Sequence, residues 1–158
     1  MKDFDIALAK ARKYGIDEAI PVYTSKIDVK EWVLAKCRFG SDEWGKNWSY
    51  EGWTAEKTRN LLREYSRAII FIGKQQQGFR EALIEIEGEL IREGYRKSLA
   101  LIFGPCDLCS ECTKLENRPC CYPDKKRPSI EAMGIDIAGT LQKLRKDLTA
   151  TTGIILVD

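Results

Sequence analysis

RAIIFIGKQQQGFREALIEIEGELIREGYRKSLALIFGPC, residues 67–106, is the stretch whose reading decides the fold. Ala68–Gly73 is an apolar run with charge before it and Gln75–Gln77 after it, which reads as a buried strand. Over residues 78–93 the period changes. Phe79, Leu83, Ile86 and Leu90 recur at intervals of four, three and four, and Gly94 stands at the end as a C-cap, which predicts a helix. Ser98–Phe103 is a second buried strand, and it delivers the chain directly into a cysteine-rich loop.

Working outward, residues 3–14 predict a short helix stopped by Gly15, and Ala19–Ile27 and Val29–Lys36 are compatible with two strands, the second leading to Cys37. A loop rich in Gly, Ser, Asn and Trp runs from Arg38 to Trp53. Thr54 is a good N-cap for a helix over 55–66, with Leu61, Leu62 and Tyr65 on its apolar face. Ser129–Met133 begins a helical turn, Asp136 caps a helix over 137–148, and Gly153–Val157 is a last strand. Strands alternating with helices predict one α/β layered domain over residues 1–158. It has a central mixed sheet of about four to five strands flanked by helices, with a cysteine-rich metal-binding segment at 104–128.

That segment carries the chemistry. Of six cysteines, Cys106, Cys109, Cys112, Cys120 and Cys121 fall together, the first three at strict three-residue spacing. A C-x-x-C-x-x-C turn wraps one corner of a cuboidal iron–sulfur cluster, each thiolate reaching a different iron, and bacterial ferredoxins share these first three ligands. Tetrahedral zinc normally takes two close pairs, so a tight triplet favours iron and sulfur before zinc, and zinc before a structural or oxidised thiol cluster. The expected ligands are Cys106, Cys109, Cys112 and Cys120 of one 4Fe–4S cluster, with Zn2+ as the alternative. Cys121 cannot easily serve the same iron as its neighbour, and Tyr122-Pro123 turns the chain away after it.

Composition narrows the function. The chain has 158 residues, 44% of them hydrophobic and 32% charged, and a net charge of +2, too small to argue for nucleic acid or a membrane surface. It has no histidine, which rules out histidine-ligated zinc, haem or Rieske centres and any histidine general base. The N-terminus lacks an apolar stretch of signal-peptide length and the longest apolar runs are too short to cross a bilayer, so a cytoplasmic protein is expected. In a reducing compartment clustered thiols read as ligands or redox groups before disulfides.

Other features weigh less. Lys125, Lys126 and Arg127 either raise the potential of a nearby cluster or form an ordinary solvated turn. Trp44, Trp48, Tyr50 and Trp53, with Trp32 and Phe39 upstream, either wall a pocket for a flat cofactor, shield a cluster, or pack a long loop down; the last is the simplest. Cys37 reads as a small buried hydrophobe. Glu131 and Asp136 read as structural, one an arginine partner and the other a helix cap. No glycine pattern matches a nucleotide-phosphate cradle.

Gly104-Pro105-Cys106, Cys109, Cys112, Cys120, Pro123 and the run Arg127-Pro-Ser-Ile-Glu-Ala-Met-Gly-Ile-Asp136 resemble a prokaryotic family of predicted metal-binding proteins, domain of unknown function 2284. Lys36-Cys37 and Trp44-Gly45-Lys46-Asn47-Trp48 extend the resemblance over most of the chain. It implies metal binding by Cys106, Cys109, Cys112 and Cys120, with Arg127, Glu131 and Asp136 as motif positions. Similar proteins carry further cysteines where this chain has Ser41 and Tyr50-Glu51-Gly52, so one metal site is expected here. Three functions fit: an electron carrier or accessory redox protein, an enzyme whose cluster has an open iron held by Cys106, Cys109 and Cys112, and a zinc-stabilised interaction module. The redox partner protein or small-molecule substrate is not identified by sequence.

Overall fold

The computed structural model describes residues 2–148 and 151–158; residues 1, 149 and 150, included in the expected single domain, lie outside them. The described residues form five α-helices, α1 (Lys2–Lys13), α2 (Glu31–Gly40), α3 (Ala55–Arg63), α4 (Phe79–Arg92) and α5 (Ile137–Lys143). Four strands, β1 (Glu18–Tyr23), β2 (Arg67–Gly73), β3 (Leu99–Ile102) and β4 (Thr151–Val157), make one sheet in the order β1-β2-β4-β3. The class is α/β with four strands, as expected. All three ladders are antiparallel, and the parallel pairing is an isolated bridge between Ile102 and Ser129.

Both faces of the sheet are covered, which explains why β2 and β4 read as continuous apolar runs rather than alternating ones. Ile69, Phe71, Ala100, Ile102, Ile155 and Val157 pack on one face against α1 and α4, through Ala7, Ala11, Phe79, Leu83, Ile86 and Leu90. Ala68, Ile70, Ile72, Leu101, Ile154 and Leu156 pack on the other against Leu62 of α3, Leu141 of α5 and the 130–137 segment. Pro21 lies in β1, an edge strand, where its missing N–H leaves no ladder gap.

β3 is the other edge, and three of its outward backbone groups are engaged. Ala100 N–H donates to Glu87 of α4 (2.5 Å), Ile102 N–H donates to Pro128 O (3.1 Å) and Ile102 O accepts from Ile130 N–H (3.2 Å). An edge closed this way offers no template for another chain.

Two local expectations are corrected. Residues 29–36 are not a strand: Val29 makes a single bridge to Ile135 and the chain then enters α2. The β-favouring Trp32 and Val33 suggested extension, but Val33 and Cys37 lie one helical turn apart, and α2 packs on the 131–133 turn. The strand expected over 19–27 ends at Tyr23, where Thr24–Lys26 turn in a 3-10 helix and Thr24 Oγ1 donates to Tyr65 O. The caps behave as read. Thr54 Oγ1 accepts from Lys57 N–H (3.1 Å) and Asp136 Oδ1 from Gly139 N–H (3.0 Å), although α3 and α5 end at Arg63 and Lys143, short of the expected 66 and 148.

Gly153 marks the closest helix–sheet approach. It pairs with Phe71 and Ile102, and a Cβ there would collide with Leu83 and press on Phe79 of α4. Gly153→Ala should therefore lower stability by about 1–3 kcal/mol, the usual range for overpacking, read as a lower urea midpoint at an unchanged slope.

Candidate metal centre

From β3 the chain passes through Phe103 to Gly104, whose φ of +89° is the left-handed conformation that favours glycine. Two side chains fix this turn. Gly104 N–H donates to both oxygens of Glu131 (3.0 and 3.1 Å), and Ser129 Oγ donates to Gly104 O (2.6 Å). One residue-pair further, Asn47 Nδ2 donates to Cys106 O (3.1 Å) and Cys106 N–H donates to Ser49 Oγ (3.2 Å). Glu131 also accepts from Tyr50 Oη at 2.6 Å. The arginine partner expected for Glu131 is thus replaced by a tyrosine hydroxyl and a backbone N–H. Arg127 pairs instead with the buried Glu87 (2.5 Å), so it secures the far end of the loop to α4.

The loop brings four thiols to one cleft. Cys106, Cys109, Cys112 and Cys120, all half-buried, line it together with Trp48 and Lys126, and no carboxylate is in the lining. Cys121 is exposed and outside the lining. Trp48 donates from Nε1 to Thr113 Oγ1 (3.3 Å), and Thr113 Oγ1 donates to Pro119 O (2.9 Å), tying the wall to the loop it shields. Lys114 and Lys126 stand over the Trp48 ring at 4.6 and 5.4 Å from its centre.

Of the other aromatics between residues 32 and 53, Trp32 and Phe39 are exposed and the rest pack in the core. Trp44 packs on Cys37, Tyr50 and Ala132, and Trp53 on the second core face.

The cleft is narrow. Its free volume of about 20 Å³ admits roughly one water molecule. Among the described residues no three cysteine or carboxylate side chains stand close enough to hold a metal ion as they are. The donor chemistry fits a soft metal or an iron–sulfur cluster, with four thiols and no carboxylate in the lining. Binding would require the thiols to draw together, and the loop that carries them has only one short 3-10 turn, Thr113–Glu116.

Electrostatics act in the same sense. Burial pushes the Cys106 thiol up, opposed by the Leu108 backbone N–H and by Arg80. Burial raises Cys109 as well, followed by the charges of Cys121, Cys106, Cys120 and Cys112 in that order. Thiolates this close repel one another, and a bound cation reverses that repulsion.

Two charged residues of this frame were not singled out by sequence reading. Arg80 and Glu87 lie two helical turns apart on α4, at spacings of three and four from Leu83. Charges on an apolar stripe were the available signal.

A small α/β domain with a thiol-lined loop at one sheet edge is what the fold defines. The chain belongs to the family described as predicted metal-binding protein, domain of unknown function 2284, whose model matches residues 21–154. No curated protein and no solved structure matches it. Among the described residues no helix is long and apolar enough to cross a membrane.

Cys37 is set apart from the cleft, in the last turn of α2. Burial and then Glu131 push its thiol up to about 11. A raised thiol stays protonated through neutral pH and becomes a thiolate only as pH climbs toward that value, so its reactivity rises late. In metal-free native protein at pH 8, iodoacetamide should label Cys121 rapidly and Cys37 slowest of the six, as mapped by peptide mass spectrometry. Equal rates at Cys37 and Cys121 would contradict the placement.

Proposed function

We propose that this is an iron–sulfur protein holding one 4Fe–4S cluster through Cys106, Cys109, Cys112 and Cys120, and acting as an electron carrier or accessory redox protein. The observation that carries the reading is the meeting of these four thiols in one cleft without a carboxylate. Soft donors alone select iron–sulfur or zinc over magnesium or calcium, and the tight triplet favours the cluster. When bound, the cluster supplies one-electron transfer. The chain's own residues hold it, exclude water on the Trp48 side and place Lys126 and Arg80 nearby, where positive charge favours the reduced state. Half-buried thiols put the site close to the surface, within reach of a partner protein. A cytoplasmic setting fits this reading, since clustered thiols in a reducing compartment serve as ligands before they pair in disulfides.

A second reading, a zinc-stabilised interaction module, is favoured by the narrowness of the cleft, since one ion asks less movement of the loop than a cubane.

Metal analysis separates the two. Protein made without oxygen should be brown and contain about four irons and four sulfides per chain, as the four-thiolate ligand set implies. Stoichiometric zinc without acid-labile sulfide would establish the second reading instead. Cys109→Ser should abolish the cluster and Cys37→Ser should leave it. Cys120→Ser should lose iron while Cys121→Ser keeps four, and a four-iron spectrum in both, and in the double variant, would instead indicate an open iron.

A further inference from the structure

Arg80 occupies the first turn of α4 with only 4% of its surface exposed. Two general costs oppose this position. A helix N-terminus disfavours a cation, and a buried guanidinium must have its donors and its charge compensated. Nε donates to Asp107 Oδ1 (3.0 Å) and Nη2 donates to Pro105 O (3.0 Å). Nη1 is buried and has no hydrogen-bond partner among the described residues. The Asp107 side chain is 57% exposed, so water screens its pairing with Arg80. Buried donors are nearly always satisfied, and an orphan at a native site calls for a partner.

The two anchors place that guanidinium beside Cys106. Pro105 and Asp107 flank Cys106, so one planar fork grips the backbone before it and the side chain after it. We infer that Arg80 is a positioning residue of the metal centre: it fixes Cys106 from both sides and keeps an incompletely compensated positive charge beside it, to be balanced once the Cys106 sulfur is a metal-bound thiolate. The inference rests on Cys106 being a ligand, and not on which metal is bound. A positive charge beside a thiolate withdraws electron density from it, which strengthens a four-thiolate site against its own repulsion and raises the potential of a cluster there.

Cobalt(II) titration of the reduced, metal-free, full-length protein tests this, because thiolate-to-cobalt charge-transfer absorption reports both affinity and sulfur electron density. Arg80→Gln should bind cobalt about 10–100-fold more weakly, the usual effect of losing an outer partner of a ligand. Its charge-transfer band should move to lower energy. Arg80→Lys, which keeps the charge and loses the fork, should fall between Arg80→Gln and the native protein in affinity. Asp107→Asn, which loosens the loop and leaves the Arg80 charge, should keep the native band position. Native affinity and band in Arg80→Gln would overturn the inference; should that variant not fold, native affinity in Arg80→Lys would do so. A native protein without thiolate absorption would remove both this role and the ligand assignment. The expected order of variants in a chain that assembles no iron–sulfur cluster would remove the iron–sulfur reading alone and leave Arg80 its role.

Discussion

The buried ion pair between Glu87 and Arg127 is the contact on which the rest of the site depends. Glu87 sits on the core side of α4 with its side chain 6% exposed, and a carboxylate there must be compensated. Arg127 supplies two donors and β3 supplies a third, the Ala100 N–H. One side chain therefore joins the helix, the edge strand and the end of the cysteine loop. Removing one partner of such a pair typically costs about 3–5 kcal/mol, since the other charge is left stranded. Two turns earlier on the same helix, Arg80 holds the start of that loop.

The frame is completed from the other side of the sheet edge. Glu131 receives the Gly104 N–H and the Tyr50 hydroxyl, and Ser49 and Asn47 receive and supply the backbone bonds of Cys106. The 104–128 loop thus has firm ends, and its middle, where Cys109, Cys112 and Cys120 lie, is tied by Thr113 to Trp48 and to Pro119 O. Metal binding and closure of the four cysteines are coupled, because drawing four thiolates together is unfavourable until a cation offsets their repulsion. The narrow cleft and the ligand-rich sequence are consistent with that coupling.

Much of this was legible in sequence, for identifiable reasons. β2, α4 and β3 could be read because each is deeply buried, and burial imposes an unmistakable period on the residues. The thiols that line the cleft could be grouped in advance because they lie close together in sequence, three of them at strict three-residue spacing. Residues 29–40 were misread because Trp32 and Val33 favour strands, whereas the contact that makes them helical, with the 131–133 turn, lies about a hundred residues away. Glu131 drew an arginine on general grounds and found Tyr50 instead, a partner that no local pattern specifies. Arg80 and Glu87 were visible only as charges out of place on an apolar stripe.

Iron-edge X-ray absorption on anaerobically prepared protein tests the central claim most directly, because it reports the ligand atoms and the nuclearity together. The account predicts a first shell of sulfur alone and a second shell of short iron–iron scattering, both lost in Cys109→Ser. A first shell containing oxygen or nitrogen in full-occupancy protein, or iron without iron–iron scattering, would contradict a cluster held by these four thiols.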